Sequence, residues 1–177
     1  MKETCATGEY FPQYGDRETN VDNQTLRKLR CKEGVEVLSV FFPGETPAVY
    51  RYENAEGMRF LVLAFEKYHP AYQRSANFSV SYYRQAQLIE NIEWLAGKKL
   101  PAVCEKNPNL YVLAASGDEE MAVLLLNVHL DDVFAPEIRL DKTYREIKFL
   151  NCKGELQGDR VILSDIPPYG VATFVVR

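Results

Sequence analysis

The chain has 177 residues, 46% of them apolar and 26% charged. That length suits one ordinary domain or two small ones, each with a real apolar core. A net charge of -4 argues against a dedicated binder of nucleic acid or of an anionic membrane, which would present a basic face.

No stretch approaches the roughly 20 apolar residues of a membrane span. The opening Met1-Lys2-Glu3-Thr4 carries no apolar run of the signal-peptide kind. A cytoplasmic location is the expectation, unless the chain is a piece of a longer protein. Cys5, Cys31, Cys104 and Cys152 are scattered, with no CxxC pair. Neither a zinc knuckle nor a thioredoxin-like motif is encoded. Their even number permits disulfides, but without a secretion signal buried or free thiols are expected.

Residues 1–32 are polar and aromatic without steady period, and Gly8, Pro12 and Gly15 are turn chemistry. A long irregular stretch is predicted there, with one short element near 25–29. Residues 35–42 and 48–52 read as strands, Asn54-Ala55-Glu56-Gly57 as a turn, and 58–65 as a further strand buried on both faces. A loop over 67–77 follows. Ser79 or Ser81 can cap a helix running to about Ala96. Leu88, Ile89, Ile92, Leu95 and Ala96 recur at helical spacing and predict its apolar face. Gly97 sits where a left-handed cap is expected, Lys98-Lys99 complement the helix dipole, and Pro101 prevents continuation.

A domain junction is expected there, dividing an α/β segment over 1–100 from an all-β domain over 101–177. Beyond it the period changes from helical to alternating. Residues 110–115, 137–140, 144–150, 161–163 and 171–176 read as strands, and the apolar run 121–130 as a central one. Gly154 and Gly158 mark tight turns around a short 155–157 link, and Pro167-Pro168-Tyr169-Gly170 forms a rigid corner. The fold class is mainly β with one major helix: a partial α/β segment of strands plus helix, followed by a small antiparallel β-sandwich.

The chain has two histidines, His69 and His129, and no metal-ligand spacing around them. No metal, cofactor or catalytic residue is assigned. Asp131-Asp132 and Glu119-Glu120 are sequence neighbours in predicted turns. Their side chains diverge into water, whereas glycosidic chemistry needs carboxylates facing one another across about 5–9 Å. Neither GxGxxG nor GxxxxGK[ST] occurs. Tyr10, Phe11, Tyr14, Tyr68, Tyr72, Tyr82 and Tyr83 fall in or beside predicted loops. Such rings can stack on sugar C–H faces or pack loops against a partner domain, and packing is the favoured reading. Trp94, near the helix end, reads as a junction anchor. Tyr10, Tyr14, Tyr68, Tyr72, Tyr82 and Trp94 are the candidate carbohydrate or domain contacts.

The segment PAVYRYENAEGMRFLVLAF resembles the closing strand pair of class-I amidotransferase-like domains. The helix YRQAQLIENIEWLAGKKLP is similar to the exit from such a domain, and LSDIPPYGVATFVV to the end of a terminal β-sandwich. That order resembles the tail of multidomain β-galactosidase-like glycoside hydrolases over residues 35–177. The resemblance implies a catalytic (β/α)₈ barrel elsewhere, an amidotransferase-like middle domain used for oligomer contacts, and a terminal sandwich. The family's catalytic glutamates stand at barrel strand ends, and this chain has no eight-fold βα alternation to carry them. The amidotransferase nucleophile has no counterpart either, since no cysteine follows a strand as a nucleophile elbow requires.

The leading expectation is a non-catalytic accessory region of a glycoside-hydrolase-like protein. Its partners would be a barrel domain, a second copy or carbohydrate. One alternative is a stand-alone carbohydrate-binding module. Another is a small hydrolase using His129 with Asp131 or Asp132.

Overall fold

The computed structural model describes residues 2–5, 18–20, 30–42, 46–64, 82–105, 107 and 109–177. The chain divides into two compact units, Met1–Leu95 and Ala96–Arg177. Among the described residues it is mainly β, with three antiparallel sheets and one helix.

In the first unit the β-branched and aromatic runs become β3 (Glu36–Phe42), β4 (Thr46–Glu53) and β5 (Arg59–Leu63). The sheet continues through β1 (Lys2–Cys5) and β2 (Glu18–Asn20) in the order β2-β1-β3-β4-β5. These two strands lie within the stretch predicted to be irregular. Segments as short and polar as KETC and ETN carry no hydrophobic period to announce them. The element predicted near 25–29 lies outside the described residues.

Between β4 and β5, the Asn54 side chain accepts from the backbone N–H groups of Glu56 and Met58, at 3.0 and 2.8 Å. Leu38, Ala48, Val49 and Ala64 form the small core of this unit. β5 is not buried on both faces as expected. It is the outer described strand, and its residues are half-buried or exposed, with Phe60 stacked on Tyr52.

The helix α1 (Tyr82–Ala96) ends at Gly97, whose φ of 65° is the left-handed cap that its sequence position predicts. Ser79 and Ser81 lie outside the described residues. The helix does not bury the predicted apolar face. Ile92 and Leu95 are 44% and 39% exposed, whereas Gln87 and Asn91 are buried. The cause is on β4. Arg51 points a guanidinium at the helix and donates to Asn91 Oδ1 at 3.3 Å, while Asn91 Nδ2 donates to Gln87 O at 2.7 Å. A polar partner on the sheet selects the polar line of the helix.

The second unit is a sandwich. One sheet runs β10 (Ile147–Phe149), β13 (Val171–Val176), β8 (Met121–Asn127), β7 (Leu110–Ser116). The other runs β11 (Gly154–Gln157), β12 (Arg160–Leu163), β9 (Glu137–Leu140), β6 (Ala102–Cys104). Met121, Val123, Leu125 and Phe174 from the first sheet meet Ile138, Leu140, Val161 and Leu163 from the second in one buried cluster. β6 was not anticipated, and the 155–157 link proves to be part of β11. Both are short edge strands without alternation. β8 stops at Asn127, where the apolar run predicted strand as far as 130.

Two details of the sandwich are directly testable. A Cβ at Gly154 would lie 2.3 Å from Ile162 O and 3.1 Å from Leu163 Cα, so the β11–β12 ladder closes only over glycine. Gly154→Ala should destabilise the sandwich by about 1–3 kcal/mol, as overpacking does. An unchanged urea midpoint would refute this.

Tyr144 is buried, and its hydroxyl donates to Asp141 Oδ1 at 3.0 Å. Burial first, then the bond to Asp141 and its charge, push the phenol up to about 12 from 10.0. The raised value means that the folded state holds this proton longer than the unfolded one. The contribution is therefore full below pH 10 and lost as pH rises towards 12. Stability measured against pH should fall less steeply across that window in Tyr144→Phe than in the parent. Superimposable curves would remove the claim.

Candidate functional site

Two of the segments that cross between the sheets, 128–136 and 164–170, meet at the end of the sandwich where β8 finishes and β13 begins. Asn127, with no exposed surface, occupies the next inward position of β8 after Met121, Val123 and Leu125. Its Nδ2 donates to Asp131 O, Ile166 O and Pro167 O at 2.8, 3.0 and 3.0 Å. Its Oδ1 accepts from His129 N at 2.9 Å. Val133 and Ile166 exchange backbone hydrogen bonds, and Asp165 Oδ1 accepts from Ala135 N at 2.9 Å. One carboxamide thus ties both crossings together. The backbone has positive φ at Ala135 (39°) and Tyr169 (56°), a conformation that persists only where surrounding bonds determine it.

His129 stands on the first crossing. Its Nδ1 lies 3.2 Å from Asp131 Oδ2 and accepts from Asp131 N at 3.3 Å. Of the two acidic neighbours that the sequence offered, Asp131 is the one that His129 meets. Both side chains are exposed; the imidazole accepts from Asp131 N and the His129 N–H donates to Asn127 at the end of β8. This closes a turn.

On the second sheet, Arg139 and Arg160 sit directly opposite one another. Like charges in register repel, and two glutamates offset that. Glu105 Oε1 holds the buried Arg139 at 2.5 Å, and Glu137 pairs with Arg160. The bond to Glu137 holds the Arg160 guanidinium above its usual range. Glu105 and Glu137 already accept from guanidinium groups, which is a structural use of a carboxylate.

Trp94 is engaged in a comparable way. Arg51 and Arg59 lie 5.1 and 5.5 Å from its ring centre, and Arg59 donates to Trp94 O at 2.6 Å. Arg51 also binds Glu36 through Nε and Nη2. The ring is thereby fixed against β4 and β5. Tyr10, Phe11, Tyr14, Tyr68 and Tyr72 lie outside the described residues, as do the side chains of Tyr82 and Tyr83. Cys104 is a buried thiol; burial pushes the Cys152 thiol up, and it donates to Thr173 O at 3.4 Å. Among the described residues, no group of three or more His, Cys, Asp or Glu can hold a metal ion, and no helix is long and apolar enough to cross a membrane.

No protein-family pattern and no curated protein matches the chain. Solved structures do. An α-L-fucosidase, isoenzyme 2 from Paenibacillus thiaminolyticus, overlaps 99% of this chain and 31% of its own, at 10% identity and a TM-score of 0.59. A β-galactosidase from Bacillus circulans sp. alkalophilus overlaps 87% of this chain and 22% of its own, at 16% identity and 0.41. Gan42B, a GH42 β-galactosidase from G. stearothermophilus, overlaps 81% and 18%, at 16% identity and 0.40. The chain therefore spans less than a third of each matched structure. At 0.59 it shares an overall fold with a segment of the fucosidase; at 0.41 and 0.40 the overlap is too loose to define one.

The Asn127 staple carries a stability prediction. Asn127→Ala strands the carbonyl groups that its amide served and should cost about 2 kcal/mol of sandwich stability. Asn127→Asp should cost more at neutral pH, because a carboxylate would then face three carbonyl oxygens. Urea unfolding of the three proteins checks the order, and equal midpoints would contradict it.

Proposed function

We propose that this chain is a non-catalytic accessory region of a glycoside-hydrolase-like protein, serving to buttress a catalytic domain or to support assembly. The observation that carries the reading is the fold shared with 31% of the α-L-fucosidase chain, an overlap that takes in 99% of this one. The strand pair, helix and sandwich in that order support it further, as the arrangement expected of a glycoside-hydrolase tail with an amidotransferase-like segment before it.

The chemistry points the same way. Glu105 and Glu137 are committed to Arg139 and Arg160, and Glu36 and Glu90 to Arg51. Asp131 and Asp132 are exposed on the first crossing. A glycosidic pair needs one carboxyl to hold a proton while another faces it across the scissile bond. Glu36, Glu90, Glu105 and Glu137 instead brace strands, and Asp131 meets His129 in an exposed turn.

The purified chain should leave a panel of aryl glycosides unhydrolysed. The DNA on the 5′ side of its coding sequence should encode a (β/α)₈ barrel, in frame or as a neighbouring gene. Turnover abolished by a single carboxylate substitution would overturn the reading.

A further inference from the structure

The helix α1 carries two lines of side chains. Gln87, Asn91 and Trp94 follow one another at spacings of four and three, and so do Leu88, Ile92 and Leu95. Such spacings keep each line on one side of a helix. A step of one residue turns a helix by about 100°, so the apolar line lies that far around from the polar one. The helix is docked on the polar line. Gln87 and Asn91 are buried, whereas Ile92 and Leu95 are 44% and 39% exposed.

The sheet offers a seat to each line. Residues in register on neighbouring strands share a face, and so do residues two apart along one strand. By the β4–β5 register, Glu53 with Arg59, Arg51 with Leu61, and Val49 with Leu63 are three rows of one face. The arginines identify it as the face under α1. Arg51 donates to Glu90 Oε1 and Asn91 Oδ1, both at 3.3 Å, and Arg59 donates to Trp94 O at 2.6 Å. Both guanidinium groups also stand over the Trp94 ring. Beside this clamp Val49 is buried in the unit's apolar cluster, with Leu61 and Leu63 packed half-buried against it.

We propose that α1 is a two-position element. The Arg51–Arg59 clamp holds it with its apolar line turned outward. Released from the clamp, it rolls by one residue and buries Leu88, Ile92 and Leu95 on Leu61 and Leu63. The charge of Arg51 decides between the positions. Its side chain is only 14% exposed, and a guanidinium so covered needs acceptors. The helix supplies Glu90 and Asn91 only when the polar line faces the sheet. Without that charge, removal of Ile92 and Leu95 from water favours the rolled position. Packed elements change by discrete steps of this kind, because intermediate rotations interdigitate with neither seat. The inference goes beyond the accessory reading and does not depend on it.

Arg51→Met in the whole chain tests it, since methionine fills a similar space without the charge. Ile92→Cys places a thiol on the apolar line. A thiol reagent reports its accessibility, and peptide mass separates it from the native cysteines. Adding Arg51→Met should slow that reaction by about tenfold, as burial does. Gln87→Cys, on the polar line, should react faster in the same background. Trp94, the single tryptophan, should move its emission to the red as it leaves the clamp. Arg51→Lys, which keeps the charge, should leave the thiol at position 92 reactive. An unchanged rate at position 92 in Arg51→Met overturns the proposal. A faster rate overturns it as well, because a helix that melts without its clamp has only one position.

Discussion

β8 crosses the sandwich core with Met121, Val123 and Leu125 turned inward, and the next inward position is an asparagine with no exposed surface. A buried carboxamide must find partners or cost the strand its place. Asn127 finds them in the backbone of two segments that cross between the sheets, 128–136 and 164–170. The end of the domain is organised around that requirement. The Val133–Ile166 exchange, the bond from Ala135 to Asp165 and the positive φ at Ala135 and Tyr169 all belong to loops held at a fixed distance from one side chain. Backbone strain of this kind survives only where neighbouring bonds leave no alternative.

The charged groups follow a related logic. Arg139 and Arg160 face one another across adjacent strands and tolerate it because Glu105 and Glu137 lie between or beside them. In the first unit Arg51 gathers Glu36, Glu90 and Asn91 around a single guanidinium. Arginine suits such positions because its planar fork serves several acceptors at once. The result is that Glu36, Glu90, Glu105 and Glu137 are spent on architecture.

Features set by neighbouring residues were legible in the sequence. Gly97 after an apolar-periodic stretch, β9 and β13 by alternation, and the Asn54–Gly57 turn all depend on what lies within a few positions. The buried face of α1 was not legible, because Gln87 and Asn91 are chosen by Arg51, far away along the chain. Nor were β1, β2, β6 and β11, whose pairing comes from backbone groups that every residue carries. At the candidate site, the meeting of His129 with Asp131 could be read from their adjacency. Asn127 could not, since it falls inside the run read as strand as far as 130, where nothing marks one polar residue as an anchor. The signal that would have found it is parity: it holds the inward phase of Met121, Val123 and Leu125, where a turn residue has no reason to be buried.

Parity also bears on the other face of the same strand. A residue pair in register explains an apolar side chain only if something packs on it. For the inward set of β8 the second sheet does so. For Ala122, Leu124 and Leu126 the register offers only flanking neighbours on the same surface, Ala115, Leu113 and Tyr111 on one side and Val175, Thr173 and Val171 on the other. Those contacts stabilise a strand as well with threonine or a β-branched polar mixture, which would keep the surface wet. The interior of the sandwich therefore has no need of leucine at these positions. The leucines there belong to the outer surface of the sheet, and the charged groups at the hairpin end mark where the apolar rows stop.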